Sequence, residues 1–185
     1  KKSVLPVSGK PLIAWTIEAA KKSKYLDTVI TSTDDTNIAD MAEKYGCDVP
    51  FLRPADLASD DAPTIGTIIH AVKWLKNTGE VFDYLVLLEP TSPLRETHDI
   101  DDCIQRLIDS NAASIVSVAP LESGHPEFNV IIDKKTDLIC KIDGTTDFNV
   151  LRRQDLSDAY FFDGTIYVSG IKDLIEKKLF IMTVQ

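Results

Sequence analysis

The chain has 185 residues, 44% apolar and 26% charged, with a formal net charge of −9. That size and apolar content suit a single domain with its own core, and the acidic balance argues against a nucleic-acid binder, whose surface should be basic. It leaves room for an anionic small substrate, because a few cations in a cleft act locally. No apolar run approaches membrane-spanning length and no signal peptide is visible, so a cytoplasmic protein that does not engage membranes is expected. The three cysteines, Cys47, Cys103 and Cys140, lack metal spacing and read as reduced thiols.

Gly9-Lys10-Pro11-Leu12 opens a helix, with Pro11 suited to its first position. Leu12, Ile13, Thr16, Ile17 and Ala20 share one face, and Glu18, Lys21 and Lys22 lie outside it. Val29 and Ile30 start a short strand that ends in Thr31-Ser32-Thr33-Asp34-Asp35. A second helix carries Ile38, Met41, Ala42 and Tyr45, and Gly46 stops it. Residues 47–52 read as an edge strand, since Pro50 removes a ladder donor. After the polar loop 53–62, Pro63 begins a helix with Ile65, Ile68, Ile69, Val72 and Leu75 inward.

Leu85-Val86-Leu87-Leu88 is an unbroken apolar run, which predicts a strand buried on both faces of a parallel sheet. Pro90 and Pro93 end it in a stiff turn that holds Glu89, Thr91, Ser92 and Arg95 at the strand's carboxyl end, where open α/β sheets bind ligands. The same turn also reads as an ordinary strand-to-helix loop capped by Thr91 or Ser92. Ile100, Ile104, Leu107 and Ile108 give one more amphipathic helix, and 114–118 one more buried strand. Strand and helix thus alternate, as in an α/β fold with a mostly parallel sheet flanked by helices. Right-handed crossovers would bring the loops 31–35, 53–64, 89–95 and 119–125 to one crevice.

The pattern changes after Pro126. Residues 128–132 and 138–142 alternate around Asp133-Lys134-Lys135-Thr136 as a β-hairpin, Asp143-Gly144 makes a second turn, and 149–158 is polar and extended. A strand over 160–169 contains Gly164, which marks a bulge or a close backbone approach. A short helix over 171–178 follows, and 179–184 is expected to re-enter the sheet. Residues 125–163 therefore form a β-rich excursion within the one domain. His70, His98 and His125 are isolated and read as structural or surface residues.

Several motifs now fall into one order: Lys2-Ser3, Gly9-Lys10-Pro11-Leu12-Ile13, Ser32-Thr33-Asp34, Arg53-Pro54-Ala55-Asp56-Leu57-Ala58-Ser59-Asp60, Leu88-Glu89-Pro90-Thr91-Ser92-Pro93-Leu94-Arg95, Arg152-Arg153-Gln154-Asp155 and Asp163-Gly164-Thr165-Ile166-Tyr167. With them the chain resembles the acylneuraminate cytidylyltransferases, the CMP-sialic acid synthetases. The resemblance implies a nucleotide-diphospho-sugar-transferase fold and a homodimer in which the excursion reaches the neighbouring subunit. It implies that CTP is joined to an acidic nine-carbon keto sugar, or to a related legionaminic, pseudaminic or ketodeoxyoctonic acid. Mg2+ or another divalent cation would assist; a nucleotide-binding module without catalysis is the alternative of a different class.

The resemblance also implies residue roles. Lys2 would contact the CTP phosphates and Ser3 the nucleotide, where asparagine is commoner in the family. Arg53 would contact cytidine, and Ala62 and Thr64 would recognise the pyrimidine edge, Thr64 equally serving as a helix cap. Glu89 stands where many members have a sugar-binding glutamine, beside Thr91 and Ser92. A carboxylate there accepts but does not donate hydrogen bonds, which points to a sugar unlike ordinary sialic acid. Arg153 matches an arginine directed at the sugar or across the dimer, and Phe161 stands where an arginine is common. The family's phosphate loop and its magnesium-binding Asp-x-Asp segment are expected before Lys2 and beyond Gln185, so the printed chain reads as truncated at both ends, able to fold but a poor catalyst. Metal ligands stay unassigned, with Asp34, Asp35 and Asp163 equally well turn or capping residues.

Overall fold

The computed structural model describes residues 2–59, 61–148 and 152–178, and these fall into two compact units, Lys1–Ser117 with Gly164–Gln185, and Val118–Asp163. The expected strand over 179–184, together with Asn149 and Asp60, lies outside the described residues.

The first unit follows the apolar periodicity closely. A short hairpin, β1 (Pro6–Val7) and β2 (Lys10–Pro11), leads into α1 (Leu12–Lys21). Helix α1 buries Ile13, Ala14, Thr16, Ile17, Ala19 and Ala20. Helix α2 (Thr36–Lys44) is capped by Asp35, whose carboxylate accepts from the N–H groups of Asn37 and Ile38, and it ends before Gly46 at φ +76°. Helix α3 (Thr64–Asn77) buries Ile68, Ala71 and Val72. Strand β3 (Tyr84–Leu87) follows, then α4 (Thr97–Ser110), whose first turn is closed by a reciprocal capping box between Glu96 and Asp99. Ile108 was expected inward on α4 but is 45% exposed. The core seam is the narrower one of Ile100, Ile104 and Leu107, and Ile108 falls at its edge, bordering a cleft.

Strand β4 (Ser114–Pro120) and the long β7 (Tyr160–Gly170) run from one unit into the other, and α5 (Ile171–Lys177) closes the first unit. The sheet order is β3-β7-β4, with β3 and β7 antiparallel from Tyr84↔Gly170 to Leu87↔Tyr167. Parallel pairing appears at two bridges, Ile30↔Asp48 and Thr33↔Leu52. Strand β3 is half-buried rather than enclosed on both faces, because β7 is its one ladder partner among the described strands and 84–88 border the cleft. One core cluster joins Ala19 and Ala20 of α1, Ile100, Ile104 and Leu107 of α4, and Ile166 and Val168 of β7; a second joins Ile13, Ile17, Ile38, Ala42 and Cys47.

The second unit holds the expected hairpin, β5 (Val130–Ile132) antiparallel to β6 (Ile139–Lys141). Asp133 shapes its turn: Oδ1 accepts from the backbone N–H groups of Lys135 and Thr136 and from the Thr136 hydroxyl. Asp143 does the same at the next turn through Thr145, beside Gly144 at φ +84°. At Gly164 the alternatives resolve: φ is +73° and nothing would crowd an added Cβ, so the glycine serves its left-handed backbone and not a close approach.

Two outcomes are expected. Leu107, 1% exposed between α1 and β7, should cost about 2–5 kcal/mol on Leu107→Ala, read from urea unfolding midpoints. The Thr136 and Lys135 N–H groups, with the Thr136 hydroxyl, hold the Asp133 carboxyl below its ordinary pKa. A carboxyl lowered in the folded state stabilises above its unfolded pKa and loses that contribution as pH falls through the folded value. Carbon-detected titration of Asp133 should therefore give a midpoint below the ordinary carboxylate range, and the turn should loosen only in acid beneath it.

Candidate active site

A cleft of about 1050 Å3 lies in the first unit, bordered by residues 28–32 and by 84–90. Its floor is apolar, with Ile17, Ile68, Val72 and Ile104; three of the loops expected at one crevice contribute to its lining, and so do polar residues outside them, among them Asp27, Glu80, Asp83 and Lys172. The fourth expected loop, 119–125, belongs to the second unit.

Arg53 reaches the cleft because the bridge at Thr33↔Leu52 delivers the chain there: its N–H donates to the Thr33 carbonyl at 2.8 Å, and Nη2 donates to the Ser32 carbonyl at 2.7 Å. Its Nε is buried without a partner, and so is the Ser32 hydroxyl beside it. Both residues line the cleft, and a buried polar atom without a protein partner is a feature of functional sites as well as of sites filled by water. Ser32 was legible only as part of a motif, and its open hydroxyl adds it to the candidate site. Ala62 lines the same cleft with its N–H committed to the Ser59 carbonyl at 3.0 Å. Thr64 is the exposed first residue of α3 after Pro63, and that end has no side-chain cap hydrogen bond. Its hydroxyl is not a cap.

Glu89 and Pro90 close the lining at the end of β3. The Glu89 side chain is exposed, with Oε2 3.4 Å from the Thr91 hydroxyl that donates to it, and Ser92 is half-buried in the same turn. Arg95, the last residue of the turn, is directed inward, 6% exposed, with its guanidinium donating to backbone and hydroxyl acceptors. Lys2 and Ser3 form a single 3-10 turn, Lys2–Val4, packed on α1 and α2 outside the cleft lining. Arg153 is an exposed residue of the second unit whose guanidinium donates to the Glu122 carbonyl.

The remaining titratable groups have local explanations. Burial pushes the Cys47 thiol up, against a hydrogen bond with Thr31, and none of the three cysteines forms a disulfide. His70 packs edge-on against Phe51 at 4.7 Å, His98 pairs with Glu96 and Asp99 on the surface, and His125 accepts from the Glu127 N–H. Among the described residues no three His, Cys, Asp or Glu side chains gather as a metal site, and Asp35 is committed to capping α2.

The profile of the cytidylyltransferase family matches residues 1–180. The chain belongs to that family. This cytidylyltransferase is 36% identical over 94% of its length to CMP-N,N'-diacetyllegionaminic acid synthase of Legionella pneumophila, spanning 73% of that protein. It is 27% identical over 96% of its length to pseudaminic acid cytidylyltransferase of Campylobacter jejuni, spanning 75% of it. The N-acylneuraminate cytidylyltransferase of Escherichia coli is 38% identical over 56% of the chain, which spans 24% of that protein. The fold matches that of CMP:2-keto-3-deoxy-manno-octonic acid synthetase solved with CTP, at TM-score 0.67 and 16% identity, covering 99% of this chain and 73% of the other. It also matches 4-diphosphocytidyl-2C-methyl-D-erythritol synthase of Anaerococcus prevotii, at TM-score 0.63 and 15% identity, covering 99% and 74%. The α/β class read from the alternating elements and the nucleotidyltransferase type of fold implied by the resemblance are both established by these matches. No helix among the described residues is long and apolar enough to cross a membrane.

Proposed function

We propose that this cytidylyltransferase joins CTP to a nonulosonic acid, a nine-carbon keto sugar of the sialic acid type, giving the CMP-sugar and pyrophosphate. The anomeric hydroxyl oxygen attacks the α-phosphorus, the bond to the bridging oxygen of the β-phosphate breaks, pyrophosphate leaves with the electron pair, and the hydroxyl proton is released. Such a displacement needs positioning and charge neutralisation more than a protein nucleophile. The observation that carries the reading is the shared lining: Arg53, Ala62 and Thr64, the nucleotide candidates, border the same cleft as Glu89, the sugar candidate.

Glu89 narrows the sugar. Its ionised carboxylate only accepts hydrogen bonds, so it suits a substrate that presents amide N–H or hydroxyl donors. A diacetylated sugar, such as the one named for the Legionella relative, carries two amide N–H groups. Incubating the full-length protein with CTP and a panel of nonulosonic acids, with CMP-sugar identified by mass spectrometry, tests the reading directly. Turnover of a diacetylated sugar in preference to N-acetylneuraminic acid is expected, and no turnover of any nonulosonic acid would leave only a nucleotide-binding module. Glu89→Gln should shift the kcat/KM ratio toward N-acetylneuraminic acid by roughly tenfold.

The second unit supports a homodimer. Its β5–β6 hairpin has two strands only, a size that is marginal in isolation. Successive residues of a strand face opposite sides, and Ile131 and Ile132 are 48% and 63% exposed, with Leu138 and Phe162 at 65% and 60%. A second copy would cover them. Sedimentation at micromolar concentration should give a dimer, and Ile132→Asp with Leu138→Asp should return monomers whose first unit remains folded by circular dichroism.

A further inference from the structure

Two prolines, Pro90 and Pro93, leave the turn after β3 poor in backbone bonds. Those that remain are long: the Ser92 N–H is 3.4 Å from the Glu89 carbonyl it donates to, and the Arg95 N–H is 3.3 Å from the Ser92 carbonyl. Yet this turn carries the residue that faces the sugar in the reading above. Its tightest hold on that residue is a side chain. Arg95 Nη2 donates to the Glu89 carbonyl at 2.8 Å, Nη1 to the Thr16 hydroxyl of α1 at 3.1 Å, and Nε to the Thr165 carbonyl of β7 at 2.9 Å. The three acceptors belong to three separate elements, and Arg95 and Thr16 are 6% and 8% exposed.

A planar guanidinium with donors in a fixed fork can satisfy three acceptors in three directions at once, and a lysine ammonium on a flexible stem reproduces neither the plane nor the reach. Burying the charge is costly unless it is compensated, and these three acceptors contribute to that compensation, which ties each of them to its bond. The Glu89 carbonyl is thereby referenced to α1 and β7, the two elements that share the main core cluster. The Cα–Cβ direction of Glu89 follows, since its backbone lies between β3, which ends at Leu87, and this bond, and the Thr91 hydroxyl donates to its carboxylate at 3.4 Å.

We propose that Arg95 is a positioning residue for the acid sugar: it fixes the Glu89 backbone against α1 and β7 and acts on the substrate through the Glu89 carboxylate. The proposal rests on the assignment of Glu89 to the sugar. It also explains why a cation in a substrate-side turn is buried away from two anionic substrates.

The experiment measures steady-state kinetics of the full-length protein, with CTP and N,N'-diacetyllegionaminic acid varied separately, for wild type, Arg95→Lys, Thr16→Val, Glu89→Ala and the double variant Arg95→Lys with Glu89→Ala. Arg95→Lys should raise the sugar KM about tenfold and leave the CTP KM within about twofold, and Thr16→Val, which removes one acceptor, should move the sugar KM less in the same direction. In the Glu89→Ala background, Arg95→Lys should add little further, because both changes remove one effect. A lowered melting temperature with both KM values unchanged would make Arg95 a purely structural residue and overturn the proposal. So would additive effects in the double variant. If wild type turned over no nonulosonic acid, the functional reading would fail, and the proposal with it; turnover by wild type separates the two failures.

Discussion

The inner face of β7 is the constraint on which the rest of the first unit depends. Ile166 and Val168, 2% and 0% exposed, alternate to one side of the strand and meet Ile100, Ile104 and Leu107 of α4 and Ala19 and Ala20 of α1. The small alanines let α1 approach closely, and the Thr97 hydroxyl donates to the Ala19 carbonyl at 3.0 Å, fixing the start of α4 against α1. Because β7 also pairs with β3 in register from Tyr84 to Leu87, the apolar contact sets where β3 ends. The substrate-side turn begins at that point. A shift of β7 by one residue would exchange its buried and outward faces, so the packing forbids the slip that would move Glu89.

Polar groups then complete what the apolar seam begins. Ser117 of β4 and Ile166 of β7 exchange bonds, the Ser117 hydroxyl donating to the Ile166 carbonyl at 3.3 Å and accepting from its N–H at 2.9 Å. Arg95 draws the turn onto the same framework. Arg53, by contrast, reaches the cleft from the far border, through the bridge at Thr33↔Leu52 and its bond to Ser32. The nucleotide candidates and the sugar candidate are thus carried by different segments, Arg53 by the chain after an isolated bridge and Glu89 by the end of β3. That arrangement suits a reaction between two bound molecules, since each border can hold one reactant while the shared core fixes the distance between them.

The sequence disclosed elements better than pairings. The 3.6-residue periodicity of α1, α3 and α4 and the stop at Gly46 transferred directly, because local apolar spacing is what buries a helix face. The hairpin around Asp133 was legible for the same local reason. Pairing between β3 and β7, far apart in the chain, has no local signal, and the apolar run at 85–88 looked the same whether it met partners on one border or two. The burial of Arg95 was not legible for a physical reason: a cation in a polar turn has the composition of a surface residue, and only tertiary acceptors on α1 and β7 reveal a buried one. Ile108 shows the converse, an apolar residue at nearly helical phase left at the margin of a cleft. The family motifs supplied roles that no periodicity carries, yet they could not say that Thr64 is free of capping or that the Ser32 hydroxyl is open.

A chain of net charge −9 that is to bind a triphosphate and a carboxylated sugar needs its cations placed, not numerous. At physiological ionic strength the screening length is about 8 Å, so acidic groups spread over the surface contribute little inside a cleft, whereas a group at contact distance acts nearly unscreened. Glu89 is the group for which this matters. Were it to face the sugar's own carboxylate at about 4 Å, the repulsion near a protein surface would be on the order of 4 kcal/mol. That would cancel the affinity a few good hydrogen bonds supply. In the proposed role the carboxylate would be useful only toward the donor-bearing side of the sugar, and would have to be kept there. A stiff two-proline turn, anchored through its first carbonyl to a buried guanidinium, meets that demand, because it limits both where the carboxylate sits and which end of an anionic substrate can approach it.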